Sequence, residues 1–318
     1  MAGVSSRPAV LVGVLHVDEP SLPRVRERIL AQVDVDVTLV EVANLPERAA
    51  HARLYELFST AGPEHDALVK VDADMELVEP RLLAALGSLF RRHRGLDHVI
   101  VGVDDWFSGR RIQGMNAWRN GVRWTAPPPE LFTDLPDNTV RTKLKVMDVG
   151  RPLVLHAADP SDLQAVRYGL HRGLKAVATG KASRLSRLVD VVDHAAAEPA
   201  RGRLLAVAAI GLALRDDGAA RTLLDATQHD ATPSGTAGVA TLSDEVADPD
   251  LCGRVRRDLT ALTADAGSGP LATARTQPRG RARAVRGRIA RALRRDGVAD
   301  TSDRDRWRDD FLALLDGG

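Results

Sequence analysis

The most informative stretch of this sequence is Val69-Lys70-Val71-Asp72-Ala73-Asp74-Met75-Glu76-Leu77. An apolar run, typical of a β-strand, is followed by two carboxylates, Asp72 and Asp74, with one residue between them. A nucleotide diphosphate cannot approach bare carboxylates, whereas a hard divalent cation bridges carboxylate and phosphate oxygens. The stretch therefore predicts a strand ending at Asp72, with Asp72 and Asp74 as ligands of Mn²⁺ or Mg²⁺. An ordinary solvated turn is the alternative interpretation.

Apolar runs and helical patterns alternate on both sides of this stretch. Strands are predicted at 8–16, 35–42, 67–72 and 99–103, and helices at 21–32, 51–60 and 80–92. Alternation at these lengths indicates βαβ units, and hence an α/β fold with a mostly parallel sheet flanked by helices. Ligands of such sheets bind at the carboxyl ends of the strands. Asp72 lies at such an end, and His16, Asp18 and Glu41 lie near two others.

The pattern changes after residue 110. Asn120-Gly121 suits a type I′ turn and predicts a β-hairpin. The prolines at 127–129 predict a loop, and another short strand is predicted within 146–156. A helix is predicted to begin with Asp159 as its N-cap and Pro160 at its first position.

The C-terminal part of the chain is rich in Ala, Arg, Leu and Asp and has little β character. Helices are predicted at 185–194 and 203–215, loops at 232–248 and 267–280, and a basic helix at 281–295. The predicted organisation is an α/β region at 1–180, followed by a mainly helical C-terminal region with flexible loops at 181–318.

The residues from about Ala9 to Glu79 resemble the GT-A-fold glycosyltransferases, particularly their family-2-like group. The resemblance rests on a first strand ending near His16, the strand at 37–42 and the DxD motif Asp72-Ala73-Asp74. It implies that residues 1–180 form a GT-A-like domain that binds a nucleotide-sugar and transfers its sugar.

The resemblance also implies roles for individual residues. Asp74 would coordinate the metal, Asp72 would contact the ribose or the metal, and Glu41 would contact the nucleoside. Many GT-A enzymes use a further metal or diphosphate ligand, often a histidine. His156 is the candidate here, because it ends an apolar strand and precedes a helix start; an ordinary polar residue at a strand end is the alternative.

Further candidates come from spacing and from the chemistry of transfer. Arg167 and His171 lie four residues apart on one helix face and could hold a diphosphate or an anionic acceptor. A solvated helix face explains the same spacing. Inverting transfer needs a carboxylate base, for which Asp104, Asp105 and Asp134 are candidates.

Composition excludes several classes of protein. The formal net charge of this 318-residue chain is +1, so no global field points to nucleic acid. The single cysteine, Cys252, cannot form an internal disulfide, which fits a reducing compartment. No signal-peptide pattern is visible, and the apolar stretch 204–214 is too short to cross a bilayer. A cytoplasmic protein is expected, with peripheral contact at the inner face of the membrane left open.

The leading functional interpretation is a metal-dependent glycosyltransferase. Its partners would be a nucleotide-sugar donor and an acceptor that is a carbohydrate, a cell-envelope glycan or a lipid-linked molecule; a homo-oligomer is compatible with the sequence. A nucleotidyltransferase on a similar fold is the first alternative. The second is a non-catalytic adaptor or nucleic-acid-binding protein acting through the Arg-rich segment 279–295, although no aromatic residue interleaves there to stack on bases.

Overall fold

The computed structural model describes residues 7–126, 138–227, 233–267 and 301–318. Its strands are, in chain order, β1 (Ala9–His16), β2 (Asp36–Ala43), β3 (Ala67–Asp72), β4 (Met75–Leu77), β5 (His98–Asp105), β6 (Arg110–Arg119), β7 (Lys143–Val146) and β8 (Val154–His156). Its helices are α1 (Leu22–Leu30), α2 (Glu47–Thr60), α3 (Leu82–Arg92), α4 (Asp162–Thr179), α5 (Ala182–Ala197), α6 (Arg201–Arg215), α7 (Asp217–Ala226), α8 (Pro233–Val246), α9 (Leu251–Gly267) and α10 (Thr301–Leu315).

All eight strands join one sheet in the order β2-β1-β3-β6-β5-β8-β4, with β7 paired to β5. Six of these strands run in one direction, while β6 and β4 run the opposite way. The carboxyl ends of β1, β3, β5 and β8 therefore point toward the same edge. The predicted α/β class, with a mostly parallel sheet flanked by helices and a helical C-terminal region, is confirmed.

The segment between β3 and β4 is the point at which the sheet curls. β3 and β4 are joined by Ala73 and Asp74 alone, yet three other strands lie between them in the sheet order. The backbone here is held from two sides: Ala73 N–H donates to Leu15 C=O at 3.2 Å, and Ala157 N–H donates to Asp74 C=O at 2.8 Å. Asp74 is thereby fixed between the ends of β1 and β8.

Each face of the sheet buries its own apolar cluster. One face packs against α1, α3 and α10, and Phe311 of α10 is fully buried there. The other face packs against α2, with Trp118 of β6 buried against Tyr55 and Phe58. Gly13 of β1 lets α2 come close, because a Cβ at this position would lie 2.2 Å from Leu54 Cδ1. Expected strands and helices in this region form as predicted, within a few residues at their ends.

The helices after β8 form a third apolar cluster. α4 lies against α6, and the approach is close because Gly169 and Gly173 face α6: a Cβ on Gly169 would lie 2.3 Å from Ala206 C=O. Phe107, in the turn after β5, belongs to this cluster and stacks on Tyr168 of α4 at 4.0 Å. The sheet edge and the helical region therefore share packing. The predicted division at residue 180 stays a prediction.

The hairpin predicted across Asn120-Gly121 is wrong. A turn does form there, with Gly121 at φ +102°, but the following residues leave the sheet and Trp124 makes an isolated bridge to Asn138. The hairpin partner of β6 is the preceding strand β5. The reason is that the Asn120 amide donates to the carbonyls of Gly62 and His65, which directs the chain toward the loop before β3.

Two further sequence predictions are corrected. The N-cap of α4 is Ser161 rather than Asp159, because Ser161 and Gln164 form a reciprocal capping box. The loop predicted at 232–248 contains a helix, Pro233–Val246. The proline loop at 127–129, the residues 268–280 of the second loop and the basic helix at 281–295 lie outside the described residues.

No helix within the described ranges combines the length and the apolar character needed to cross a bilayer.

Buried His98 makes the stability of the fold depend on pH. Its side chain is 3% exposed, its ring stacks on Trp118 at 5.1 Å, and its Nε2 lies 3.0 Å from Asn116 Oδ1. Burial lowers the pKa of His98 to about 4. Since the unfolded chain takes up this proton near pH 6.5, stability is lost as the pH falls from about 6.5 toward 4.

We predict that His98→Gln flattens this dependence. Between pH 7 and pH 5, the wild-type protein should lose about 2 kcal/mol of unfolding free energy through His98. The loss of unfolding free energy between the two pH values should be smaller in the variant by this amount, as measured by urea unfolding at pH 7 and at pH 5. Parallel pH profiles for the two proteins would show that His98 does not carry the effect.

Candidate active site

Two cavities open at the carboxyl edge of the sheet. The larger has a volume of about 630 Å³ and the smaller about 300 Å³. Both are lined by Glu19, Asp72, Asp74, Arg167 and His171. These five side chains therefore lie at the junction, and a ligand longer than either cavity can extend across it.

Asp74 and His156 meet at this junction. His156 Nε2 lies 3.5 Å from Asp74 Oδ2, and His156 Nδ1 lies 2.7 Å from Asp105 Oδ1. The antiparallel register of β4 and β8, which pairs Met75 with His156, produces this proximity. Two of the three residues predicted as metal ligands, Asp74 and His156, are thus brought together, and the third, Asp72, lines both cavities with Asp74.

Asp105 holds the histidine in place from behind. Its carboxyl is 2% exposed and accepts from His156 Nδ1, from the Ser108 backbone N–H and hydroxyl, and from the Tyr168 hydroxyl at 3.0 Å. With the Nδ1 proton directed to Asp105, Nε2 is left to face Asp74 and the cavity. Such a carboxylate behind a histidine fixes both the tautomer and the ring orientation in metal sites.

The charges of this group are strongly coupled. Burial raises the pKa of Asp74, although the nearby His156 opposes the shift. Burial lowers the pKa of His156, but Asp74 and Asp105 outweigh it, so the pKa is raised overall. Burial also acts to raise the pKa of Asp105, and the hydrogen bond and charge of His156 reverse this, to about 2. Positive charge between the carboxylates is therefore stabilised.

Asp72, the first acid of the DxD motif, pairs with a lysine rather than with His156. Its Oδ1 lies 2.6 Å from the Nζ of Lys70, which is itself largely buried. Both residues line the larger cavity, so Lys70 places a positive charge on its wall beside the DxD segment. Lys70 lies two residues before Asp72 on β3, on the same face of the strand.

The two adjacent acids at the end of β5 have opposite surroundings. Asp105 faces His156 and the helices, whereas Asp104 points to the other side of the strand and pairs with Arg111 through contacts of 2.6 and 3.0 Å. Asp104 lines neither cavity. Alternation of side chains along a strand accounts for the difference. Asp134 lies outside the described residues.

Glu41 lies beyond the cavity walls. It forms a two-point ion pair with Arg26, at 2.5 and 2.7 Å, and this arginine lowers its pKa. Its neighbour His16, 3.5 Å away, does line the smaller cavity. The predicted nucleoside contact of Glu41 stays a prediction.

Arg167 and His171 line both cavities one helical turn apart on α4, as their spacing predicts. His171 Nε2 lies 3.9 Å from Glu47 Oε1 of α2, which borders the smaller cavity. The residue after His171, Arg172, lies over the ring of Tyr168 at 5.3 Å. This helix face is therefore a cavity wall rather than a face open to bulk solvent.

Sequence reasoning missed two contributors to the site. Glu19 lines both cavities, accepts from the Val17 N–H at 2.7 Å, and has a pKa raised by burial. Its position directly after the first strand was an available signal. No local signal in the sequence identifies Tyr168, because its hydrogen bond to Asp105 joins residues that lie 63 positions apart.

Within the described part of the chain, no group of three or more His, Cys, Asp or Glu side chains is arranged to hold a metal ion. The protein side chains that converge are the pair Asp74 and His156. Mg²⁺-type ions are commonly bound through one or two carboxylates together with substrate phosphates, rather than by an all-protein cage. A pair of ligands suits an ion that arrives with a phosphorylated substrate.

Several solved structures are similar to this chain, and one of them is described with its ligands. It is the mannosyltransferase PcManGT from Pyrobaculum calidifontis in complex with GDP-Man and Mn²⁺, 14% identical, with 83% of this chain and 88% of that chain covered and a TM-score of 0.35. No family model and no curated protein matches the chain. Similarity at this level establishes nothing about chemistry.

We predict that the adjacent acids of β5 differ sharply in their effect on stability. Asp105→Asn places an amide N–H₂ among donors and should cost about 3 to 5 kcal/mol of unfolding free energy. Asp104→Asn is the matched control and should cost about 1 kcal/mol or less, because its ion pair is partly exposed. Urea unfolding of both variants decides the matter, and equal losses would contradict the central place given to Asp105.

Proposed function

We propose that this protein is a metal-dependent glycosyltransferase with a GT-A-like nucleotide-sugar site, in which Asp74 and His156 hold the cation. The observation that carries the proposal is the Asp74–His156 pair at the junction of two cavities, on the edge where the parallel strands end. This edge is where α/β sheets bind their ligands.

The residues present fit a divalent cation. Two atoms that each lie about 2.1 Å from one ion can be at most about 4.2 Å apart, and the separation of 3.5 Å between Nε2 and Oδ2 is within this limit. A cation would take the place of the Nε2 proton: His156 would keep its Nδ1 hydrogen bond to the Asp105 carboxylate and present the Nε2 lone pair toward Asp74, and the ion would then supply the positive charge between the carboxylates. When bound, Mn²⁺ or Mg²⁺ would neutralise the charge that develops on the diphosphate leaving group.

The two cavities fit the two halves of a donor. The smaller one, lined by Leu15, Leu45, Ala50 and His51, is largely apolar and suits a nucleoside. The diphosphate then lies at the junction, and the sugar extends into the larger cavity beside Lys70. Asp72 is proposed to contact the ribose from the β-sheet side, and Glu41 to contact the part of the nucleoside that extends past His16 at the wall of the smaller cavity.

Arg167 and His171 are proposed to bind the diphosphate. They occupy the wall that both cavities share, and a guanidinium donates two parallel N–H groups to phosphate oxygens. The positive charge of Arg167 would stabilise the leaving group as the bond to the sugar breaks. For Asp105 we propose a positioning role, since its oxygens already accept from His156, Ser108 and Tyr168.

A nucleotidyltransferase is the alternative that shares a cation and a nucleotide. The stretch 14–24 contains no glycine, so a Gly-rich phosphate-binding loop after β1 is absent from the sequence. The two reactions release different products: a glycosyltransferase liberates a nucleoside diphosphate, while a nucleotidyltransferase liberates pyrophosphate. Assaying both products with manganese, in one sample with nucleotide-sugars and in another with nucleoside triphosphates and sugar phosphates, separates the two activities.

Binding of UDP, GDP and ADP with manganese is the first test. A true ligand present at 100 times its dissociation constant should add about 2.7 kcal/mol of stability, visible as a thermal shift that requires the metal. Asp74→Asn should weaken this metal-dependent binding by about 100-fold, and Asp105→Asn by about 10- to 100-fold, because it releases the histidine.

Asp250→Asn is a matched control for the loss of one acidic charge, since Asp250 pairs with Arg257 on α9. It should leave binding of the nucleotide unchanged. Metal-dependent binding that survives intact in Asp74→Asn would remove the proposed cation site.

A further inference from the structure

The larger cavity continues past the proposed donor site to a basic end. Lys175 lies eight residues after Arg167 on α4, about 12 Å further along the helix axis. Arg184 of α5 donates to Lys175 C=O at 3.2 Å, and Arg187 follows one turn later on α5. All three side chains line the cavity. They form a group that we call the basic end, separated from the junction by two helical turns.

The two arginines of the basic end differ from seven other arginines of the helical region. Neither Arg184 nor Arg187 forms an ion pair with a carboxylate among the residues that the structure describes. The seven are ion-paired, and the pairs are Arg201–Asp162, Arg203–Glu198, Arg215–Glu245, Arg221–Asp217, Arg254–Asp248, Arg256–Asp193 and Arg257–Asp250. The cavity thus keeps two guanidinium groups without acidic partners.

The wall of the larger cavity as a whole also has more positive than negative charges. It carries six cationic side chains and four acidic ones, not counting histidines. The cationic residues are Lys70, Arg167, Arg172, Lys175, Arg184 and Arg187. The acidic residues are Glu19, Asp72, Asp74 and Asp190, and Asp190 already faces Arg110 at 3.4 Å.

Binding of the donor does not remove this excess. A nucleotide-sugar diphosphate carries about two negative charges, which one divalent cation offsets. The surplus of positive charge then remains at the basic end, away from the junction. A phosphate group matches both the charge and the geometry, because arginine presents its N–H donors as a fork to phosphate oxygens.

We propose that Lys175, Arg184 and Arg187 bind a phosphate group on the acceptor, so that the substrate receiving the sugar is a phosphorylated molecule. This inference rests on the proposed transfer function. The roughly 12 Å along α4 between Arg167 and Lys175 leaves room for the transferred sugar and the attacking hydroxyl between the two phosphate sites.

Calorimetry with inorganic phosphate tests the basic end directly. The double variant Arg184→Gln/Arg187→Gln should bind phosphate at least about tenfold more weakly than the wild-type protein, since each charge-assisted contact is worth about this factor. The single change Arg187→Glu should weaken phosphate binding as well. Because Arg187 is exposed, this variant should fold even if the double variant does not. Arg257→Gln removes one arginine from the same helical region and should leave phosphate binding unchanged.

Three results would overturn the inference. They are undiminished phosphate binding in the double variant, equal weakening by Arg257→Gln, and acetate binding as tight as that of phosphate, which would indicate a carboxylate acceptor. Nucleoside diphosphate binding with manganese, measured in the same variants, separates the two proposals. If the variants bind the nucleoside diphosphate normally and their phosphate binding equals that of the wild-type protein, only the proposed phosphate site is contradicted. If the wild-type protein does not bind a nucleoside diphosphate with manganese, the proposed transfer function is contradicted.

Vesicles distinguish a lipid-borne phosphate from a soluble one. Phosphatidylcholine vesicles with and without phosphatidic acid are compared for sedimentation of the protein. Sedimentation that requires phosphatidic acid and is reduced in the double variant indicates a lipid-linked phosphate. Phosphate binding by calorimetry without such sedimentation indicates a soluble phosphorylated acceptor, and either result supports the shared chemistry.

Discussion

The buried hydrogen bond between Asp105 and His156 is the interaction on which the site depends. It joins the last residues of two adjacent parallel strands, β5 and β8, at 2.7 Å. Asp105 also accepts from Tyr168, so the same carboxylate ties the sheet to helix α4. A carboxylate with so little exposure persists only because it is paired and its oxygens accept several hydrogen bonds. Loss of this group would therefore disturb the histidine, the helix and the cavity wall together.

The curl of the sheet brings the second half of the site to the same place. Because Ala73 and Asp74 alone connect β3 to β4, Asp74 must lie where the two halves of the sheet come together. Backbone hydrogen bonds to Leu15 and Ala157 keep it there. Helix α4 then passes over this point and adds Arg167 and His171 to the wall. One edge thus combines carboxylates, a positioned histidine and cationic side chains, which is the combination that a metal-bound diphosphate requires.

Local signals in the sequence predicted much of this arrangement. Apolar runs placed β1, β3 and α3 closely, and the strand end at Asp72 located the edge at which the two cavities open. The sequence also grouped Asp104 with Asp105, although only Asp105 faces the site, because the register that pairs Asp105 with His156 of β8 leaves no local pattern. Long-range contacts, such as Tyr168 with Asp105 and the Asn120 amide with Gly62, leave no local pattern. The first of these contacts places Asp105 behind His156 and against α4, and the second turns the chain away from the predicted hairpin.

Pulsed electron paramagnetic resonance of bound Mn²⁺ tests the central claim most directly, because it detects nitrogen ligands of the ion. With a nucleoside diphosphate present, the wild-type protein should show coupling to a histidine nitrogen. His156→Gln should abolish that coupling, while His51→Gln, a change in the smaller cavity, should retain it. A manganese spectrum without nitrogen coupling in the wild-type protein, or one unchanged in His156→Gln, would contradict a cation held between Asp74 and His156.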